Sequence, residues 1–160
     1  MSGLTVLGSG AYGTALASML ASESCPVTLW GRDALVIDAI NSERRNPGYL
    51  GPIALSEHIV ATTDFERACH ADTVLCVTPA QSLSTLLQKL KPHVSGIQHL
   101  VLCAKGIDRN SGQLLHEVAQ SVVSSEQIAA LSGPSFATDV ARGLPTAVSL
   151  AAHSRQAAER

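Results

Sequence analysis

Arg32, Lys105 and Ser135 are side chains suited to meeting an anion, and Gly8-Ser9-Gly10-Ala11-Tyr12-Gly13 is backbone suited to the same task. The glycine stretch follows the apolar run Leu4–Leu7 and leads into the helix-forming run Thr14–Ala21, the setting in which three glycines at this spacing form a diphosphate cradle. Each glycine then has its own duty. Gly8 permits the tight turn out of the strand, Gly10 lets the backbone approach a phosphate, and Gly13 lets helix and strand pack closely. Ser9, Ala11 and Tyr12 lie between them, with exposed N–H groups and the positive end of the helix facing the ligand's negative charge.

In parallel α/β sheets ligands lie beyond the carboxyl ends of the strands, so those ends hold the remaining candidates. After the second strand, roughly 20 residues beyond the glycine stretch, an acidic residue would take the ribose hydroxyls of NAD. The chain has Gly31-Arg32-Asp33 there instead. A small residue leaves room and a guanidinium offers a planar set of donors for a 2′-phosphate, which favours NADPH over NADH or tolerates both NADP and NAD. Asp33 is a candidate cofactor contact whose more ordinary use is to cap the next helix. Pro79, at the end of the fourth strand, fixes the backbone and is expected to line the adenosine or ribose side. Lys105, in Ala104-Lys105-Gly106-Ile107, brings an ammonium to the mouth of the sheet, where a ligand-contacting role is expected. Ser132-Gly133-Pro134-Ser135-Phe136-Ala137 presents backbone amides and a hydroxyl where a helix begins, a dock for a polar substrate end or a plain cap by Ser135.

The elements that must position these residues alternate along the chain. Strands are expected at Leu4–Leu7, Val27–Trp30, Ile59–Ala61, Thr73–Val77, Leu100–Cys103, Ile128–Leu131 and Thr146–Leu150. Helices are expected at Thr14–Ala21, Ala34–Ile40, Phe65–Ala68, Ser82–Leu90, Gln113–Val123 and Phe136–Ala141, with N-terminal signals at Asp33, Asp64 and Ser111. Such alternation, with near-continuous apolar strands such as Val74–Val77, predicts a Rossmann-like α/β fold: a doubly wound, mostly parallel sheet with helices on both faces. Asn41–Ser56, with Pro47, Gly48 and Pro52, reads as a long irregular excursion.

Composition narrows the partners. Apolar residues make up 46% and charged residues 15%, the profile of one compact domain with a real core. A net charge of −2 offers no broad basic surface for nucleic acid. Neither an apolar stretch long enough for a membrane span nor a secretory leader is recognised, so a cytoplasmic location is expected. The four cysteines show no close pairing and read as reduced and structural. The six histidines lack ligand spacing, so no metal site is expected. The run 151–160 looks like the start of a further helix with Ser154 as its cap, which suggests that another domain follows. These residues alone admit three functions: a dehydrogenase half, the first domain of another NADP-linked 2-keto or hydroxy acid oxidoreductase, and a non-catalytic nucleotide-binding module.

Together, Gly8–Ala17, Leu29-Trp30-Gly31-Arg32, Asn46–Leu50, Cys103–Ile107 and Ser132–Ala137 resemble the NAD(P)-dependent glycerol-3-phosphate dehydrogenases of bacterial type, across the whole chain. The resemblance implies that residues 1–160 are the amino-terminal NAD(P)-binding Rossmann domain. A carboxy-terminal helical domain, absent from this chain, would hold the lysine that acts as proton donor and acceptor. By resemblance, Gly8, Ser9, Gly10, Ala11, Tyr12, Gly13, Arg32, Asp33, Pro79, Lys105 and Ala137 would contact the cofactor. Lys105, Gly133 and Ser135 would bind substrate, with Lys105 also catalytic. The implied reaction interconverts dihydroxyacetone phosphate and sn-glycerol 3-phosphate for phospholipid synthesis, in an enzyme that is a homodimer at full length. Two residues depart from the family pattern: Ala11 stands where serine is common, and Asp139 replaces a more usual glutamate.

Overall fold

The computed structural model describes residues 3–159. Strands β1 (Leu4–Leu7), β2 (Val27–Trp30), β3 (Ile59–Thr62), β4 (Thr73–Cys76), β5 (His99–Leu102), β6 (Ile128–Ser132) and β7 (Ser149–Ala152) form one sheet in the order β3-β2-β1-β4-β5-β6-β7. All neighbours run parallel except β6 and β7. The order reverses direction between β1 and β4, which is where a doubly wound sheet opens a crevice for a ligand.

Successive residues of a strand point to opposite faces, and here each face has its own core. The in-register row Trp30, Leu7, Cys76 and Leu102 packs into one cluster, and the adjacent row Ala61, Leu29, Val6 and Leu75 into the other. The first cluster is covered by α4 (Phe65–Ala68), α5 (Ala80–Leu90) and α6 (Leu115–Ala119); the second by α1 (Ala11–Leu20), α2 (Ala34–Glu43), α3 (Pro47–Leu50) and α7 (Ala137–Ala141). Fully burying a leucine contributes about 1.5–3 kcal/mol. Leu7 and Leu29, both 0% exposed, therefore fix the sheet between its two helical layers.

Several boundaries differ from those expected, each for a local reason. Helix α1 begins at Ala11 rather than Thr14, because Thr14 N–H already donates to the Gly10 carbonyl. Asp33 caps α2 through a bond from Leu35 N–H, and Asp64 caps α4 through one from Arg67 N–H. Ser111 does not cap a helix. Its N–H and hydroxyl both donate to Asp108, and α6 starts only at Leu115, where Leu114 N–H is met by the Glu117 carboxylate. The last strand lies later than expected, at Ser149–Ala152, and pairs antiparallel as an edge whose side chains are mostly exposed. Ser154 caps α8 (Arg155–Ala158).

The segment Asn41–Ser56 is only partly irregular: residues 44–46 and 51–56 lack regular structure, and the rest is helical. Helix α2 continues through it to Glu43, and α3 forms a further turn with Pro47 at its first position, where the missing N–H is no loss. Asn41 exchanges two hydrogen bonds with Ala61 on β3, and Arg44 Nη1 donates to the Ile59 carbonyl, so polar side chains stitch the segment to the sheet edge. Leu50 and Leu55 anchor it in the core.

Candidate functional site

At the switch point the backbone leaves β1 through Gly8, whose φ of +130° suits only glycine. A Cβ there would run into the Val77 carbonyl, and one at Gly13 would run into the Gly8 carbonyl. Protein sterics therefore require both glycines. Gly10 differs, because a Cβ added to it meets nothing within 4 Å. Its φ of −73° is open to any residue, so only something arriving from outside needs a bare backbone there.

Helix α1 starts at this point with no side-chain cap and no acidic residue in its first turn. The N–H groups of Ala11, Tyr12 and Gly13 have no carbonyl partner within a helix that begins at Ala11. Together with the positive helix end they fit a diphosphate. Beneath the turn, Asn46 Nδ2 donates to the Ser9 carbonyl and to Thr14 Oγ1. The glycine motif gives no hint of this support. Its sequence signal is an asparagine ahead of a Pro-Gly pair, in the Asn46–Leu50 stretch that carries part of the resemblance but reads as a loop.

Gly31 has a different role from the one expected. A Cβ at Gly31 would strike the Ser9 hydroxyl, so the space beside it holds the Ser9 side chain rather than lying open for a ribose phosphate. Arg32, exposed, does face a cleft of about 260 Å³ that it lines with Trp30, Thr78, Pro79, Gln81 and Lys89. This brings Arg32 and Pro79 to one cleft. It also adds Lys89, whose ammonium sits 4.3 Å from the Phe65 ring centre and 5.3 Å from that of Trp30. Among the described residues no carboxylate lines this cleft. One Asp33 oxygen is taken by the α2 cap.

Lys105 is exposed beyond the end of β5. Burial pushes the thiol of nearby Cys103 up to about 11, and the Lys105 charge opposes that rise. The loop after Lys105 turns at Gly106, with φ +118°, and is held from two sides. Gln81 of α5 donates through Nε2 to the Ile107 carbonyl and accepts at Oε1 from Arg109 N–H. The Ser111 N–H and hydroxyl hold the Asp108 carboxyl below the usual carboxylate range. Neither Gln81 nor Asp108 stands out in the sequence, because each acts on backbone distant along the chain or within an ordinary turn.

After β6, Ser135 Oγ lies 2.9 Å from Tyr12 Oη, which joins the second candidate turn to the glycine turn. Ala137 opens α7, which packs against α1. Gly133 has a packing reason to be glycine, since a Cβ would lie 2.6 Å from the Ala147 carbonyl oxygen. Phe136 is 73% exposed. Among the described residues no three His, Cys, Asp or Glu side chains are grouped to hold a metal ion, and all four cysteines are free.

A glycine-lined turn at the switch point of a parallel sheet, opening into an uncapped helix, defines a dinucleotide-binding domain. Within that class the chain belongs to the family described as NAD-dependent glycerol-3-phosphate dehydrogenase N-terminus, which matches residues 3–158. It is 49% identical over 158 residues to a glycerol-3-phosphate dehydrogenase (NAD(P)+) of Brucella canis, covering 98% of this chain and 48% of that protein. To the protein of the same name from Erythrobacter litoralis it is 45% identical over 157 residues, covering 98% and 47%. The crystal structure of glycerol-3-phosphate dehydrogenase from Coxiella burnetii superimposes with a TM-score of 0.88 at 33% identity, covering 99% of this chain and 49% of that one. The chain thus spans about half the length of the curated relatives it matches.

Proposed function

We propose that residues 1–160 are the cofactor-binding domain of a two-domain oxidoreductase that interconverts dihydroxyacetone phosphate and sn-glycerol 3-phosphate. NADPH is the favoured cofactor and NADH is tolerated. The observation that carries this reading is Gly10: a residue that its own protein does not need to be glycine, at the head of an uncapped helix. The residues fit the group. The backbone of Gly8 to Gly13 would hold the diphosphate, Arg32 and Pro79 the adenosine side, and Lys105 and Ala137 the nicotinamide side. When bound, the nicotinamide supplies the hydride. Lys105 would stabilise negative charge on the substrate oxygen, and Gly133 and Ser135 would orient the substrate's phosphate end.

General acid catalysis needs a donor within about 3 Å of the reacting oxygen. We assign that donor to a carboxy-terminal helical domain in the other half of the family's length. The reading extends to a cytoplasmic, homodimeric enzyme acting on small molecules, and the net charge of −2 disfavours nucleic acid as a partner. Among the described residues no helix is long and apolar enough to cross a membrane. Calorimetric titration tests the cofactor assignment. The 160-residue chain is expected to bind NADPH more tightly than NADH while turning over no dihydroxyacetone phosphate; absence of nucleotide binding overturns the assignment, and measurable turnover overturns the placing of the proton donor.

A further inference from the structure

We propose that Asn46 is the positioning residue of the phosphate turn, holding the Ser9–Gly10 peptide so that the Gly10 N–H faces the ligand. The proposal rests on the reading that this turn takes a dinucleotide, and it places an essential part of the cradle outside the glycine motif. Asn46 is 0% exposed. Its Nδ2 donates to the Ser9 carbonyl at 3.0 Å and to Thr14 Oγ1 at 2.9 Å, and Thr14 Oγ1 donates to the same carbonyl at 3.2 Å. A carbonyl only accepts, so the amide's NH₂ end must face the turn.

Two donors thus draw the Ser9 carbonyl inward. A trans peptide is planar and carries its C=O and N–H on opposite sides, so fixing the carbonyl turns the Gly10 N–H outward. Without such a hold the plane before a glycine rotates easily, because no Cβ restricts it. The same side chain leaves its buried Oδ1 without a partner. An unmatched buried acceptor is unfavourable, which marks this amide as placed for its two donor bonds rather than for its own satisfaction.

Asn46 is itself braced. Its backbone carbonyl accepts from Tyr49 N–H at 3.1 Å and Leu50 N–H at 2.8 Å, and Leu50 is buried. The preceding residues are tied to edge strand β3 by Asn41 and Arg44. A rigid strut therefore runs from the sheet edge to the underside of the turn, and the segment that reads as a loop becomes part of the binding apparatus.

The test compares NADPH with adenosine 2′-monophosphate, which lacks the diphosphate, as calorimetric probes of the chain. Asn46→Leu keeps the branching and heavy-atom count and removes both donors along with the unpartnered acceptor. It is expected to weaken NADPH binding by about tenfold, the equivalent of one charge-assisted hydrogen bond, and to leave the adenosine probe and the circular dichroism unchanged. Thr14→Val should act in the same direction and Thr14→Ser should restore binding; this pair carries the test alone should Asn46→Leu not fold. Unchanged NADPH affinity in Asn46→Leu and Thr14→Val overturns the proposal, as does an equal loss for both probes, which would mean general loosening. Failure of the unaltered chain to bind NADPH is a different result and overturns the dinucleotide reading beneath it.

Discussion

Two turns at the carboxyl end of the sheet look alike in sequence, yet the structure supports them differently. Gly8–Gly13 and Ser132–Phe136 each leave a strand and open a helix with glycine and serine. The first is locked from below: Gly8 and Gly13 touch backbone where any side chain would collide, and the buried amide of Asn46 holds Ser9. The second rides higher. Gly133 packs under the approach to β7, Phe136 is exposed, and the Ser135 hydroxyl reaches the rest of the site through Tyr12. The comparison teaches that the first turn is built into the fold from below, whereas the second is packed against the approach to β7 and tied to the first through the Tyr12–Ser135 hydrogen bond.

The largest effect that can break this comparison lies within the cradle. Gly13→Ala gains about 1 kcal/mol of helix propensity but drives a methyl into the Gly8 carbonyl at a cost of about 3 kcal/mol, so a net destabilisation of about 2 kcal/mol is expected in urea unfolding. Gly10→Ala meets no protein atom and should change stability by less than about 1 kcal/mol, the scale of N-cap preferences. NADPH affinity should nevertheless collapse in Gly10→Ala. A Gly10→Ala chain that binds NADPH normally would show that the turn is glycine-rich for folding alone.

A smaller effect separates the two cations of the neighbouring cleft. Arg32 is exposed, while Lys89 is drawn over the Phe65 and Trp30 rings. Removing a hydrogen bond to a charged group costs about 1.5–3 kcal/mol, so Arg32→Ala should weaken NADPH binding by more than tenfold with NADH unchanged. Should Lys89→Met erase the discrimination instead, the 2′-phosphate is read from the α5 side.

Much of the sheet is legible in the amino-acid sequence. Six of the seven strands lie within a residue or so of their expected places, because buried parallel strands are short, continuous, β-branched apolar runs bounded by turn residues. The edge strand β7 is expected too early, at Thr146–Leu150 rather than Ser149–Ala152, since its mostly exposed side chains carry no continuous apolar signal to fix its ends. Gly31 shows how a correct pattern can hide its reason: the residue types suggest space for a phosphate, and the fold fills that space with Ser9. The contacts of Asn46, Gln81 and Lys89 leave no mark in the sequence because each works on a partner far along the chain, and a single sequence does not record such pairings. The order within Asn41–Ser56 is hidden for the same reason, since proline and glycine mark breaks in regular structure without telling whether polar side chains will pin the break in place.

The smallest effect tests the bridge between the two turns. A hydrogen bond between half-buried hydroxyls contributes about 0.5–1.5 kcal/mol, enough to orient Ser135 but not to hold the fold. Tyr12→Phe keeps the ring and Ser135→Ala keeps the backbone, so each removes one end of the bond and little else. In a double-mutant cycle on urea unfolding the pair should couple by about 0.5–1 kcal/mol. The direction of dependence can be read as well. If the second turn takes its position from the first, Tyr12→Phe should increase hydrogen exchange at the 133–137 amides, while Ser135→Ala should leave the amides of Ala11 and Gly13 as they were. Equal loosening of both turns by either variant would mean that they stand or fall as one unit.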